Sequence, residues 1–462
     1  MAKCNKNKTK EQSRFTAALS LTAIGMKLRH MKLFEPIIQE VHIQQKILRY
    51  SPAEKLMDIY ISLLSGAQGL KDINKQVRAE PAVQHAFGRC GCAEQSVAQD
   101  TLDACNEENV REMKKALRVI CQRFSQAYRH DYHFSYQILD IDLTGRTCGQ
   151  KCGLASKGYF AHARNRRGRQ EGYVVASLYD EIMAGDIYEG NKLLNQAFKQ
   201  LMEEAELSLS LDRPKRERTI LRSDSGGGST EDVNWSLERG YHFHGKQYGS
   251  LALRILANSV KQWYEDPVDP DREFGWVTTP ADEFVKPVRR IAVRCRKDNG
   301  QWGIGILIST LAPHEVLWQI GAPDIQTNDE LATLCAYVKL YDMRGGAVEI
   351  EIKEDKQGLS ITKRNKKRPE AQRTLTQLEI LAHNTLVWAR FWLSKACPKI
   401  SSFGLKRFIR EVLHLNGLVF FDQYWQIVHL RLNVNDPMAS SLSPGLADLL
   451  APQHVAITLG EI

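Results

Sequence analysis

The chain has 462 residues, a formal net charge of +9 and an isoelectric point near 8.9. This length allows two to four domains with ample cores, and the positive charge favours a polyanionic partner without proving one. No apolar run reaches the ~18 residues that a membrane span needs, and the basic N-terminus leads into no signal-type apolar segment. We therefore expect a cytoplasmic, nucleoid-associated protein that has no membrane partner.

Helical patterns dominate up to about residue 130. Ser51-Pro52-Ala53-Glu54 is a capping box with proline at the first helical position, and an apolar stripe follows it. A second capping box, Ser96 to Gln99, predicts another helix, and residues 111–128 form a third amphipathic stretch. These patterns predict an N-terminal helical domain.

Strand patterns begin near Phe134 and carry the first acidic residues. Asp140 and Asp142 lie on a run rich in branched and aromatic residues, and their alternation places both on one face. A further strand is predicted at 173–179, a helix at 190–206, and a short strand at 219–223 that delivers Asp224. Acids at strand ends indicate an α/β core with a mixed sheet.

A β-rich stretch covers about 249–336. Its predicted strands are 290–296, 302–308 and 315–320, which are separated by turn signals. After it, 374–394 reads as a long apolar helix, 403–418 as another helix and 418–432 as a hairpin.

The ten cysteines are scattered along the chain, which favours reduced thiols over a disulfide framework. The pairs Cys90/Cys92 and Cys148/Cys152 lack the usual zinc-ligand spacing. We therefore expect these cysteines to be buried or incidental thiols.

Three short acidic segments stand at residues 139–145, 221–228 and 341–356. They offer Asp142, Asp224 and Glu349 as a possible cluster of hard oxygen ligands for Mg²⁺ or Mn²⁺. Two such ions ~4 Å apart can activate an attacking oxygen and stabilise a leaving one in phosphodiester chemistry. The cluster therefore points to an enzyme acting on nucleic acid.

The third segment has helical spacing. Glu349, Lys353 and Lys356 fall at i, i+4 and i+7, so on a helix one carboxylate and two ammonium groups share a face. Such a face could bind a metal and nearby phosphates, although a solvated Glu-Lys ladder is the ordinary explanation of the pattern.

The signature Tyr341-x2-Arg344-x4-Glu349-x6-Lys356 resembles that of the cut-and-paste DDE transposases of bacterial insertion sequences, which have Tyr-x2-Arg-x3-Glu-x6-Lys. One extra residue here would turn Glu349 by ~100° on an ideal helix. A break or π-bulge at Gly345-Gly346 could restore convergence; otherwise Glu351 is the alternative. The Asp142-Leu143-Thr144-Gly145 and Asp224-Ser225-Gly226 contexts are also similar to the family, and favour Asp142 over Asp140.

The resemblance implies a ribonuclease H-like mixed-sheet catalytic core, interrupted by a β-rich insertion. The implied organisation is an N-terminal helical DNA-binding domain (1–130), the first part of the core (131–248), the insertion (249–336), the second part of the core (337–398) and a C-terminal helical region (399–462).

The implied activity is transposition. A homodimer would bind the terminal inverted repeats of its element on double-stranded DNA, cleave them and join them to target DNA. Asp142, Asp224 and Glu349 would hold two Mg²⁺ or Mn²⁺ ions, with water and then a DNA 3′-hydroxyl as nucleophile. Whether a hairpin intermediate forms is open.

DNA contacts are expected from residues around the third acid and in the insertion. Trp276, Trp302 and Trp318 are candidates for stacking on a flipped base, and Trp302 is favoured because a turn precedes it. The complete set of expected contacts is Tyr341, Arg344, Lys353, Lys356, Trp302, Lys363, Arg364, Lys366 and Lys367. Other basic clusters, at 164–169, 213–218 and 289–290, predict salt-sensitive binding.

Two other functions stay open. If residues 349–353 form a strand, Glu349, Glu351 and Lys353 share one face, as in restriction-type Mg²⁺-dependent nucleases. A catalytically inactive DNA-binding relative is the third possibility. His242 and His244 could form a metal pair, but a strand-borne pair facing one side of a sheet is the simpler interpretation.

Overall fold

The computed structural model describes residues 12–158, 160, 165–249, 251–345 and 354–462. These residues form mixed α/β structure, as the sequence predicts, and divide into two compact units. The first unit comprises 1–120 and 353–462, and the second comprises 121–352. Among the described residues, no helix combines the length and the apolar character that crossing a bilayer requires.

The first unit is built from helices and one small sheet. Its helices before residue 121 are α1 (Leu19–His30), α2 (Glu35–Glu40), α3 (Pro52–Leu64), α4 (Pro81–Ala86), α5 (Gln95–Asp103) and the start of α6 (Glu107–Phe124). The second unit carries α7 (Phe198–Leu209), α8 (Arg213–Arg216), α9 (Thr230–Glu238), α10 (Leu251–Ala257), α11 (Pro313–Gln319) and α12 (Glu330–Asp342). The first unit resumes with a short helical stretch at 354–358, then α13 (Pro369–Ser394), α14 (Leu405–Phe408) and α15 (Ala439–Leu450).

Helix α13 is the central helix of the first unit. Most of its 26 residues are buried, as expected for a helix that is surrounded by other elements rather than facing solvent on one side. It packs against α3, α5 and α15. The predicted capping box on α3 is present: the Ser51 hydroxyl accepts from the Glu54 amide, and the Glu54 carboxylate accepts from the Ser51 amide.

A four-stranded sheet in the first unit joins the two ends of the described chain. Its strands are β1 (Gln12–Thr16), β12 (Gly417–Phe421), β13 (Ile427–Asn433) and β14 (Ala456–Gly460), in that order. The hairpin β12–β13 was predicted. Strand β1 was not, because its pairing partner, in the register Phe15 with Leu418, is far away in sequence.

The second unit contains a ten-stranded sheet within the described residues. Its strands are β2 (Gln137–Thr147), β3 (Ser156–Lys157), β4 (Arg167–Ala176), β5 (Glu181–Glu189), β6 (Thr219–Ser223), β7 (His242–Lys246), β8 (Tyr264–Glu265), β9 (Arg272–Trp276), β10 (Arg289–Arg296) and β11 (Trp302–Ser309).

The strands that carry the first two acids lie side by side near the centre of this sheet. The order β5-β4-β2-β6-β7 combines antiparallel pairs on one side of β2 with parallel pairs on the other. Strand β11 pairs antiparallel with β7, so β8 to β11 extend the same sheet. Helices α7 and α9 contribute Phe198, Leu201 and Val233 to the apolar core on this sheet.

Several local predictions need correction. Residues 315–320, predicted as a strand, belong largely to α11, where Pro313 opens the helix and the Glu315 carboxylate accepts from the Ala312 amide. The predicted helix at 403–418 is shorter: α14 is followed by a short π-helix at Ile409–Leu413. Helix α5 begins at Gln95 without a side-chain cap, so the second capping box is absent. Strand β2 continues to Thr147, whereas the sequence pattern predicts that it ends at Thr144-Gly145.

Candidate active site

Strand register brings Asp142 and Asp224 together. Strands β2 and β6 run parallel, and their last register pair is Ile141 with Ser223. The next residue on each strand is an aspartate, and Asp224 keeps an extended backbone with φ −72° and ψ −173°. Because neighbouring strands lie about 4.8 Å apart, the two carboxylates emerge side by side on one face of the sheet.

Asp140 shares that face but is engaged in a buried ion pair. Its carboxylate oxygens accept from Arg222 Nε at 2.7 Å and from Arg222 Nη2 at 2.6 Å, and it also accepts from the Ser177 hydroxyl. Both charged side chains are almost completely buried. Asp140 is therefore saturated by protein donors.

Asp142 is more open and faces Arg344. Its side chain is 17% exposed, and one carboxylate oxygen lies 2.9 Å from Arg344 Nη2. The other oxygen accepts from the Leu143 amide at 2.8 Å. Arg344 Nη2 also donates to the carbonyl of Ile141 at 3.4 Å, so the guanidinium lies against the end of the buried part of β2.

The pKa of Arg344 reflects the acidic side chains that lie near it. Burial lowers the pKa of its guanidinium, but nearby Asp142, Tyr341, Asp140 and Asp224 outweigh that effect and raise the pKa above its ordinary value. A buried cation thus lies among three carboxylates, as expected where charges of one sign need compensation.

Asp224 is placed by the glycine-rich turn that follows β6. Its carboxylate accepts from the Gly226 amide at 2.8 Å, which caps a short 3₁₀ turn at Ser225–Gly227. A Cβ on Gly228 would lie 1.7 Å from the carbonyl oxygen of Lys246 on β7. Glycine is therefore required there for the turn to pass β7, because the backbones approach too closely for any side chain.

Helix α12 carries Tyr341 at its C-terminal end and leads directly to Arg344. Arg222 Nη1 donates to the Leu340 carbonyl at 2.7 Å, and Arg272 Nη1 to the Asp342 carboxylate at 2.7 Å. The helix ends at Asp342, and residues 343–345 form a turn in which the Arg344 amide donates to the Tyr341 carbonyl at 2.9 Å. The helix that carries Tyr341 therefore ends before Gly345, and Gly346 lies outside the described residues.

The third acid lies outside the described residues. Glu349, its alternative Glu351, and Lys353 fall within 346–353, about which no structural statement is made. Lys356 lies in the helical stretch 354–358 of the first unit and is half-buried. The predicted shared face of Glu349, Lys353 and Lys356 therefore stays a prediction.

Lys246 is a site residue that the sequence analysis missed. Its ammonium lies 4.8 Å from the centre of the Tyr341 ring, at a distance typical of a cation–π contact. Lys246 follows His242 and His244 at alternate positions on β7, so a search for polar side chains alternating along the strand could have found it.

His242 and His244 are a strand-borne pair rather than part of a described metal cluster. Burial lowers the pKa of His244 to about 3, and its Nε2 lies 3.1 Å from the Tyr337 carbonyl. His242 packs edge-on to Tyr136 at a ring distance of 5.2 Å. In the parts of the chain that the structure describes, no group of three or more His, Cys, Asp or Glu side chains is arranged to hold a metal.

The tryptophans of the predicted insertion have different surroundings. Trp302 is half-buried, with Arg294 and Arg296 over its ring at 4.6 and 5.2 Å. Trp276 packs edge-on to Tyr337 at 5.6 Å, and Trp318 is 62% exposed on α11.

The basic run from Lys363 to Arg368 is divided between surface and interior. Arg364 and Lys366 are buried: Arg364 donates to the carbonyls of Leu359 and Ala67, and Lys366 Nζ donates to Gln99 at 2.7 Å. Lys363 and Lys367 are exposed. Arg364 and Lys366 therefore stabilise their own unit, whereas Lys363, Lys367 and Arg368 present charge at its surface.

No family model and no curated protein matches this chain. Among solved structures, the chain is similar to a cryo-EM structure of the piggyBac transposase synaptic complex with hairpin DNA. The sequence identity is 12%, the match covers 96% of this chain and 84% of that chain, and the TM-score is 0.45. A TM-score of this size decides neither fold nor activity.

Proposed function

We propose that this protein is a DDE transposase that cleaves DNA at the ends of an insertion sequence and joins them to target DNA. The observation that carries the proposal is the adjacency of Asp142 and Asp224 at the ends of paired parallel segments of β2 and β6. The strand order β5-β4-β2-β6-β7 supports a ribonuclease H-like core around them.

The donor set suits a hard divalent cation. Asp142 and Asp224 provide carboxylate oxygens, which Mg²⁺ and Mn²⁺ prefer, and the Arg344 guanidinium shows that a positive charge is stabilised beside them. Asp142, Asp224 and Glu349 would hold the metal, which when bound supplies Lewis-acid activation of the attacking oxygen. The pairing of Asp140 with Arg222 supports Asp142, rather than Asp140, as the first acid.

The remaining side chains would bind and orient DNA. Tyr341 and Lys246 form a cation–π pair beside the acids, and an ammonium there can hold a backbone phosphate. Arg344 can bind a phosphate in bidentate fashion while it neutralises Asp142. We also propose DNA contacts from Lys353, Lys356, Lys363, Lys367 and Trp302. The protein would act as a homodimer on double-stranded DNA.

The proposal is tested with a supercoiled plasmid carrying the ends of the element, Mg²⁺ and the Asp224→Asn variant. We expect wild-type protein to cleave at the ends and the variant to bind the plasmid without cleaving, because the amide is a poorer metal ligand. Glu238→Gln, on the exposed end of α9, is the matched control and should cleave normally.

Other outcomes would favour the other functions. Cleavage at arbitrary sites would support a Mg²⁺-dependent nuclease of another type. Binding of the ends without cleavage by the wild-type chain would support a catalytically inactive relative and contradict the proposal.

A further inference from the structure

The first compact unit contains a basic cavity of about 510 Å³ that is separate from the acids. It lies between the C-terminal end of α1, the end of α4, the β12–β13 turn and residues 453–455. Its cationic and imidazole side chains are Arg29, Lys32, His30, His85 and His454. None of the described residues that line it is Asp or Glu.

The two permanent cations of this basic cavity are weakly compensated. Arg29 Nη1 donates to the His85 carbonyl at 3.3 Å. This acceptor is neutral, so the contact does not neutralise the guanidinium charge. Lys32 Nζ lies 3.9 Å from Glu35 in an exposed pair, which is worth little in water. Burial lowers the pKa of His85, and the charges of Arg14 and Arg29 lower it further. Arg14 and Arg29 therefore both place positive charge near the His85 imidazole.

The walls of the basic cavity are held in uncommon backbone conformations. Lys32, Trp425 and His454 have φ of 54°, 60° and 55°, a region that a bulky side chain such as tryptophan rarely adopts. Lys32 and His454 end helical segments, where a left-handed residue is common, and Trp425 lies in the β12–β13 turn. The Gln453 side-chain nitrogen, also in the lining, is buried without a hydrogen-bond partner in the described residues.

The aromatic side chain of the basic cavity is already engaged. Trp425 stacks on His85 with a ring distance of 5.8 Å and an interplanar angle of 18°, and Arg14 lies 4.9 Å from its centre. These contacts hold the indole in place and compete with stacking by a nucleic-acid base. The groups left for a ligand are cations and N–H donors, which suit oxyanions.

We propose that the basic cavity binds phosphate groups of the DNA backbone, as a contact independent of Asp142 and Asp224. Arginine, lysine and amide donors around a space without carboxylates recognise phosphate charge without reading sequence. The choice of DNA as the source of phosphate rests on the proposed function, whereas a free anion such as pyrophosphate would offer the same chemistry.

The test measures binding of an arbitrary 30-base-pair duplex by fluorescence anisotropy between 0.05 and 0.3 M salt, without divalent metal. For Arg29→Gln/Lys32→Gln, we expect the slope of log affinity against log salt to become shallower by about 2, with roughly 50-fold weaker binding at 0.1 M salt. The control Lys71→Gln/Lys75→Gln removes two exposed lysines from the same unit and should leave both quantities near wild type.

The single variant Lys32→Gln guards against misfolding, because it leaves the Arg29–His85 contact in place; its slope should change by about 1. Equal slopes in wild-type and cavity variants, or equal losses in the control, would overturn the proposal. Thermal stabilisation of the wild type by pyrophosphate, abolished in cavity variants that retain full DNA affinity, would assign the site to a free anion and also overturn it. Because the duplex is neither an element end nor cleaved, failure of transposition would not affect this result.

Discussion

At the scale of single residues, Asp140 and Asp142 show how two acids on one face of one strand differ in their surroundings. Asp140 is paired with Arg222 and inaccessible, whereas Asp142 is partly exposed beside Asp224. Alternation along the strand assigns both to the same face and cannot separate them. The difference comes from β6, whose register places Arg222 beside Asp140. Asp140 is therefore held in an ion pair, whereas Asp142 stays partly exposed.

Paired substitutions should separate these two roles. Asp140→Asn leaves the Arg222 guanidinium buried without its counter-charge, so we expect the free energy of unfolding to fall by about 3–5 kcal/mol. Asp142→Asn should destabilise the chain less, because Arg344 keeps Asp140 and Asp224 nearby, but it should abolish DNA cleavage. Urea denaturation and plasmid cleavage measure the two effects, and equal stability of both variants would contradict this assignment.

His244 should make stability depend on pH. Burial lowers its pKa to about 3 in the folded chain, below its ordinary value of 6.5, so below pH 6.5 the unfolded chain binds more protons. Stability contributed by the neutral imidazole is therefore present above pH 6.5 and is lost as pH falls, by about 2 kcal/mol at pH 5.

The variant His244→Gln isolates this effect, because its amide can still donate to the Tyr337 carbonyl. Denaturation at pH 7 and pH 5 should show a smaller loss of stability in the variant than in the wild type. Parallel losses in the two proteins would mean that His244 does not cause the pH dependence.

At the scale of elements, the site is positioned by β2, β6, the glycine-rich turn and α12. Helix α12 is tied at its C-terminal end by Arg222 and Arg272, which places Tyr341 and Arg344 against the sheet. The turn after β6 holds Asp224 through the Gly226 amide and passes β7 at Gly228. The position of Asp224 therefore depends on the glycines of this turn.

Gly228→Ala should displace the turn. Its Cβ would meet the Lys246 carbonyl at 1.7 Å, and neither backbone can move without disturbing Asp224 or Lys246. We expect a loss of stability of about 1–3 kcal/mol and a larger loss of cleavage. Gly149→Ala, where no atom lies within 4 Å of the new methyl group, is the control and should behave like wild type in thermal melting and cleavage.

At the scale of the whole molecule, features that depend on neighbouring residues were predicted better than features that depend on pairing between distant segments. The capping box at Ser51 and the hairpin β12–β13 depend on neighbouring residues and were predicted correctly. The apolar run in α11 is too short for its period to distinguish a helix from a strand. The burial of Lys366 depends on Gln99, which no local pattern connects with it.

The same distinction applies to the candidate site. The identities of Asp142 and Asp224 came from sequence motifs, but their adjacency follows from the register of strands separated by about 80 residues. Lys246 was missed because its relation to Tyr341 exists only after α12 and β7 pack. Glu349 lies outside the described residues, so the third position of the triad stays a prediction.

The pairing of β1 with β12 has a consequence for synthesis on the ribosome. The second unit is one continuous segment, whereas the first needs strands from both sides of it. The second unit can thus fold while translation continues, but the apolar faces of α1 and α3 must wait for α13 and β12 to emerge. During that interval the nascent N-terminal segment exposes surface that chaperones bind, so premature termination after residue 352 should produce an aggregation-prone fragment.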